Sequence, residues 1–330
     1  MKIENIKYNS FLDFLNDVLL PSGNLYNKLD GFVYRGERTN SYKLLPGALR
    51  EDQIDKLFGN GKPIDNQAQW LTWQVYAEYV LLREFYKLSN YNGLKVPKIE
   101  AISKNYNDHF PSEFLNRTGT KRWLSDDIVD LAALAQHYGV LTRLLDWSYD
   151  LYVAIYFASI GAIKAKVNDK DFQKDDTIVI WALNSFYIQF LQPTTSRIPL
   201  NFVVPPYHDN PNLNAQKGLL SYWEVLVPDT AEQVFQGNII LTDRTPLNEL
   251  LQKYCDKEPE RDTATTLLYK FEFPVEDCVA AYEYLRRLGY TAAKLFPGYD
   301  GVVKHMDETS CFIQARESIN SESSNTNQYS

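Results

Sequence analysis

The chain has 330 residues, 45% of them hydrophobic and 23% charged, which is enough apolar material for one large core or two modest ones and too much for a disordered chain. Its formal net charge of -8 argues against a general affinity for nucleic-acid phosphates, because that affinity rests on lysine and arginine contacts. Cys255, Cys278 and Cys311 lie far apart with no C-x-x-C pair, and the four histidines are scattered, so neither a disulfide framework nor a metal site is predicted.

The first residues, Met1 to Asn5, have no apolar run of the kind a secretory signal needs. The longest apolar stretch, residues 151–163, is bounded by Asp150 and Lys164 and falls short of the ~20 residues a membrane-spanning helix requires. A cytoplasmic protein with no membrane partner is expected. A helix is predicted over 9–20 from the spacing of Phe11, Phe14, Leu15 and Val18, stopped by Pro21-Ser22-Gly23. A short strand over 31–34 follows, then loops over 41–50 and 59–63. Residues 67–88 repeat large apolar side chains every three or four positions without Pro or Gly, which predicts a helix packed across the first strand. The Asn-, Pro- and Ser-rich stretch 90–120 reads as an irregular surface connection able to serve as a lid.

Ser125 is placed to cap a helix whose first turn holds Asp126 and Asp127, and Gly139 suits the left-handed position at its end. Residues 140–145 read as extended, and 149–165 as a helix apolar around its whole circumference, hence central. Strands are predicted over 177–183, 266–273 and, more weakly, 218–227. The C-terminal third adds a helix over 275–288 closed by Gly289 and a last helix ending near Arg316. The Ser/Asn-rich remainder, 317–330, is expected to be disordered.

Two polar motifs stand out against this apolar background. One is the segment from Ala135 to Trp147, which holds Gln136, His137, Tyr138, Thr142, Arg143 and Asp146; the other is Phe32-Val33-Tyr34-Arg35-Gly36-Glu37. Charged groups in such surroundings must be paired or used, since burying one unpaired costs on the order of several kcal/mol. The two motifs are expected to build one pocket. Each residue also has an ordinary structural role open to it. Arg35 can pair with Asp146 or Glu37, Arg143 with Asp146, His137 with the end of its helix, and Tyr138 and Trp147 can simply pack.

Tyr34-Arg35-Gly36, residues 46–50, Gln136-His137-Tyr138-Gly139, Leu141-Thr142-Arg143-Leu144-Leu145-Asp146-Trp147, residues 154–158 and the Gln216-x-Gly218 pair together resemble the FRG domain family. The resemblance spans residues 31–301. It implies a family found mainly in bacteria and phages and associated with phage defence, and it supplies no reaction. The order of strand, Tyr-Arg-Gly, Thr-containing segment and buried helix is also similar to arginine-type ADP-ribosyltransferases. That second likeness implies NAD as substrate, with Arg35 clamping its pyrophosphate and Gly36 letting phosphate approach the backbone. Tyr138 or Trp147 would stack on a base, with Gln136, Thr142, Arg143 and Gln216 completing the binding set.

The likeness departs at the catalytic carboxylate, because Gln216 is followed by Lys217 and Gly218 rather than by Glu. Glu37, Asp146 and Glu224 are the carboxylates at hand, the first two preferred, with His137 as a further proton carrier. Two other readings stay open. One is a nucleic-acid-processing effector using His137 and Arg143; the other is a non-catalytic domain that recognises a phage component or a nucleotide. A protein or nucleic acid is the expected acceptor if there is one. The fold expected is a single α+β domain over 1–316 whose central mixed or antiparallel sheet is flanked by helices, ADP-ribosyltransferase-like in arrangement.

Overall fold

The computed structural model describes residues 1–59, 67–104, 111–168, 176–227, 244–257 and 264–326. In chain order, β1 (Lys2–Lys7) and α1 (Phe11–Phe14) precede β2 (Phe32–Glu37), α2 (Ile54–Phe58), α3 (Gln67–Tyr91), α4 (Glu100–Ser103) and α5 (Pro111–Thr118). β3 (Arg122–Trp123), α6 (Asp126–His137), β4 (Leu145–Ser148), α7 (Leu151–Asn168), β5 (Thr177–Asn184) and α8 (Ser185–Leu191) make up the middle of the chain. β6 (Leu200–Val203), α9 (Pro211–Ala215), β7 (Gly218–Trp223), β8 (Val225–Leu226) and α10 (Leu247–Lys257) follow, and β9 (Thr266–Pro274), α11 (Cys278–Arg287), α12 (Ala292–Leu295) and α13 (Tyr299–Thr326) close it.

Seven strands form a mixed sheet in the order β1-β9-β5-β2-β4-β7-β6, in which β1 runs parallel to β9 and every other neighbour is antiparallel. The central strands are apolar on both faces because helices cover both. On β5, Ile178, Ile180 and Ala182 join the cluster under α7 and α11, while Val179, Trp181 and Leu183 join the opposite cluster with Trp147, Leu251 and Leu268. α7 is central, as its all-round apolarity predicts: it lies on β2 and packs against α11 and α13. A third cluster sets α3, α5 and α6 against Leu220 and Tyr222 of β7.

Several expectations change in the structure. α3 packs on α2, α5 and α6, and it is α7 that lies across β2. The stretch expected to be an irregular surface connection contributes Ile99, Ile102, Phe114 and Leu115 to the core, so its apolar residues outweigh its loop-like composition. Ser125 stands at the cap of α6, but its hydroxyl makes no capping bond and is buried without a partner among the described residues. The strand expected over 140–145 forms later in the chain, as β4 from Leu145 to Ser148. Upstream of it the backbone is engaged elsewhere, Ala48 N donating to Thr142 O at 3.0 Å and Leu144 N to Thr142 Oγ1 at 3.2 Å. β1 and β6, which the sequence reading did not anticipate, are edge strands with one half-polar face. α13 runs to Thr326, past the expected end near Arg316, since neither Pro nor Gly interrupts it after Gly301. Most of the loop expected over 59–63 falls outside the described residues.

Candidate functional site

β2 is bonded to β5 over six residues but meets β4 only at the pair Tyr34–Ser148, whereas β4 follows β7 over four. Beyond that single pair the two strands part, and the next residue of β2, Arg35, stands in the fork. A cleft of about 380 Å³ opens there, lined by Arg35, Gly36, Asp146 and Ser148 at the fork, by Val153, Ala154 and Phe157 of α7, and by Gln216 and Phe296 from later segments.

Arg35 is fixed by both strands. Its Nε donates to Glu37 Oε1 at 2.7 Å, and its Nη1 donates to the Asp146 carbonyl at 3.0 Å with Asp146 Oδ2 3.7 Å away. Burial alone would lower the guanidinium pKa, but the Glu37 and Asp146 carboxylates outweigh it and hold the pKa above its ordinary value. Nη2 donates to no acceptor among the described residues. Asp146 is in turn oriented by Gln136, whose Nε2 donates to Asp146 Oδ1 at 2.7 Å while its Oε1 accepts from the Thr142 hydroxyl. The Asp146 side chain remains 67% exposed, so one carboxylate at the cleft is held in place and open to solvent.

Of the residues expected to form the site, Arg35, Gly36, Glu37, Gln136, Thr142, Asp146 and Gln216 are thus joined at or beside one cleft. Gln216 donates from Nε2 to Leu295 O at 3.1 Å and accepts at its carbonyl from Ser148 Oγ at 2.7 Å, tying β4 to the segment that carries Phe296. Gly36 serves packing: a Cβ there would lie 1.9 Å from the Ala154 carbonyl oxygen, so its missing side chain admits the backbone of α7.

The other expected residues are placed differently. Arg143 is not brought to the cleft; it is buried, donates from Nε and Nη2 to Glu78 at 2.6 and 2.8 Å, and so does not pair with Asp146. Glu224 is held by Arg197 at 3.1 and 2.7 Å at the far end of β7. His137, whose pKa partial burial lowers, and the exposed Tyr138 lie edge to face at the end of α6, where Tyr138 stacks on Phe85 of α3. Trp147 borders the cleft but is buried in the opposite core, its indole N–H donating to the Ser221 hydroxyl at 2.8 Å. Trp147→Phe should therefore cost about 1–3 kcal/mol by stranding that hydroxyl, read as a lower urea midpoint with unchanged slope; an unchanged midpoint would refute the pairing.

Sequence reasoning missed three parts of the site. Phe157 and Phe296, with rings 6.1 Å apart and edge to face, wall the apolar side of the cleft, and the Lys304 ammonium stands 3.9 Å from the Phe296 ring centroid. Asp150, at the start of α7, accepts from Lys217 Nζ at 2.8 Å and from the Tyr290 hydroxyl at 2.9 Å. Lys217 has a φ of 46°, an uncommon conformation for a residue with a side chain. A strained Gln-Lys-Gly turn beside a cleft is a signal that pair spacing alone does not give.

Among the described residues no group of His, Cys, Asp or Glu could hold a metal ion, and no helix is long and apolar enough to cross a membrane. Residues 30–166 match the family described as FRG domain. That match holds β2, α6, β4 and α7, and so the Arg35, Gln136 and Asp146 network. Gln216 and the segment 295–301 lie beyond it. No curated protein and no solved structure matches the chain.

Proposed function

Residues 30–166 are an FRG domain, and from that premise we propose that its cleft binds NAD or a related nucleotide and acts on it as an ADP-ribosyltransferase or NAD glycohydrolase in a bacterial defence effector. The observation behind this reading is Arg35 itself, a guanidinium locked between two strands at a cleft with its Nη2 left to donate. A locked fork offers a phosphate oxygen a donor that needs no further ordering. Phe157 and Phe296 give a base or nicotinamide ring an apolar wall.

Asp146 is the carboxylate suited to the reaction, because Gln136 holds one oxygen and solvent reaches the other. The glycosidic C–N bond breaks, nicotinamide leaves with the bonding pair, and Asp146 stabilises the cationic ribosyl carbon. Water or an acceptor nucleophile then bonds to that carbon and loses its proton to the carboxylate or to solvent. Glu37 is spent on Arg35 and acts as a positioning residue.

A second reading, binding without turnover, draws on the same network: two carboxylates already balance Arg35, which suits a site that recognises a nucleotide and leaves it intact. Nicotinamide release by the purified protein separates the two. Release should fall on the order of a hundredfold in Arg35→Lys, which keeps the charge and loses the fork, in a protein that still folds cooperatively. Full release by that variant would sink the assignment. Saturable NAD binding without release would establish recognition, and turnover of added RNA or DNA instead of NAD would establish a nucleic-acid effector.

A further inference from the structure

The sheet ends at β6 on one side and at β1 on the other, and only β1 is guarded. Glu224 N donates to Pro199 O at 2.8 Å, and the β6–β7 register sets Asn201 opposite Tyr222 and Val203 opposite Leu220. Antiparallel bonds alternate, so Asn201 and Val203 are the residues bonded to β7, while Leu200, Phe202 and Val204 turn their backbone groups outward. Gln192 Nε2 meets the Leu200 carbonyl at 3.0 Å, but the N–H and C=O of Phe202 bond to no described residue. β1 reads Lys-Ile-Glu-Asn-Ile-Lys, and charges of that kind keep a further strand from an open edge. β6 reads Leu-Asn-Phe-Val and carries none.

The edge also lies in a groove. A space of about 410 Å³ straddles β6, with Gln189 and Gln192 of α8 on one bank and Asp126 and Val129 of α6 on the other. Pro199 and Pro205 bound the open stretch, and at its margin Phe190 and Val204 are 64% and 50% exposed. The banks indicate what kind of strand fits. A residue paired with Phe202 turns its side chain to the face on which Phe202 packs, the apolar face shared with Ile188 and Leu191 of α8. The residues on either side of it turn to the opposite face, where Val203 packs with the α6 cluster and the exposed Asp126 gives the lining its charge.

We infer that β6 is the docking edge for an extended segment of a partner protein, in which apolar residues laid on Phe202 beside α8 alternate with Lys or Arg turned toward Asp126. The partner's backbone meets the Phe202 N–H and C=O, and its alternation is read by the two banks. Residues 204–217 lead from this edge to Gln216 at the first cleft, but the groove and that cleft share no lining residue.

Fluorescence anisotropy of a labelled peptide of alternating valine and lysine, titrated with the full chain, provides the test. Binding should be saturable, about fivefold weaker for a peptide of alternating valine and glutamate, and Asp126→Asn should narrow that difference. N-methylation of the peptide's valines, which removes its outward donors, should weaken binding by at least about tenfold. Phe202→Pro should do the same from the protein's side, since proline is tolerated on an edge strand where its missing N–H faces outward, whereas Phe202→Ala keeps the donor and should lose less. Three results would each overturn the assignment: no saturable binding by folded wild type, binding indifferent to N-methylation, or a concentration-dependent dimer that Phe202→Pro dissolves, which would give the edge to a second copy of the chain. Arg35 and Asp146 lie outside the groove, so none of these results bears on the NAD reading.

Discussion

Glu78→Ala is expected to destabilise the protein by about 3–5 kcal/mol, the range for breaking a buried ion pair from one side. Glu78 and Arg143 each have side chains 2% exposed. One carboxylate oxygen accepts Arg143 Nε at 2.6 Å and the Trp123 indole N–H at 2.7 Å; the other accepts Arg143 Nη2 at 2.8 Å and Gln74 Nε2 at 2.7 Å. Truncation strands a buried guanidinium and two neutral donors together. Glu78→Gln should be nearly as harmful, since its amino group meets donors where the carboxylate met them with lone pairs. Glu78→Leu combined with Arg143→Leu should recover much of the loss, because removing both charges removes the desolvation that the pair must offset. Chemical denaturation of the three variants measures this, and a Glu78→Ala midpoint corresponding to a loss under about 1 kcal/mol would rule out the pair as an anchor. The site has a stake in the outcome: Arg143 pins the segment from which Thr142 orients Gln136 and Asp146 faces the cleft.

The sequence made the pairing of the two polar motifs legible because both sit where apolar neighbours leave charge nowhere to go. Arg35 and Asp146 meet as expected, and α7 and the strands β2, β5, β7 and β9 form close to where periodicity places them. Glu78 was legible in principle and overlooked: it lies on the same buried face of α3 as Val75, Tyr79 and Leu82, and a carboxylate on an apolar face calls for a distant cation. Which cation it would be is a matter of tertiary placement, since Glu78 and Arg143 are 65 residues apart. The same limit hid β1, whose Lys-Ile-Glu-Asn-Ile-Lys run becomes a strand only because β9 offers an edge beside it. Phe157 and Phe296 look like core aromatics in sequence, and only the parting of β2 and β4 leaves them facing a cleft.

Gly36→Ala should be the most damaging single methyl group near the site. A Cβ at Gly36 would lie 1.9 Å from the Ala154 carbonyl oxygen, 2.8 Å from the Ala154 carbonyl carbon and 2.9 Å from Ala158 Cβ. The nearest obstacles are backbone atoms of a helix buried between the sheet, α11 and α13, so relief requires moving α7 as a body. Overpacking a core typically costs about 1–3 kcal/mol, and a clash with backbone that no rotamer change relieves belongs at or above the top of that range. Gly47→Ala is the matched control, because the nearest atom to its Cβ is the end of the Leu141 side chain at 3.3 Å, which can give way. Ala158→Gly added to Gly36→Ala separates the causes. If the Ala158 methyl were the obstacle the pair would recover, whereas a carbonyl obstacle leaves the double variant as unstable as the single one. Thermal unfolding of these variants beside wild type decides it, and a Gly36→Ala protein as stable as Gly47→Ala would mean that α7 does not rest on β2 at this residue. Since Arg35 enters the fork one residue before that contact, the same variant should widen the cleft and lose nucleotide binding even where enough folded protein survives to assay.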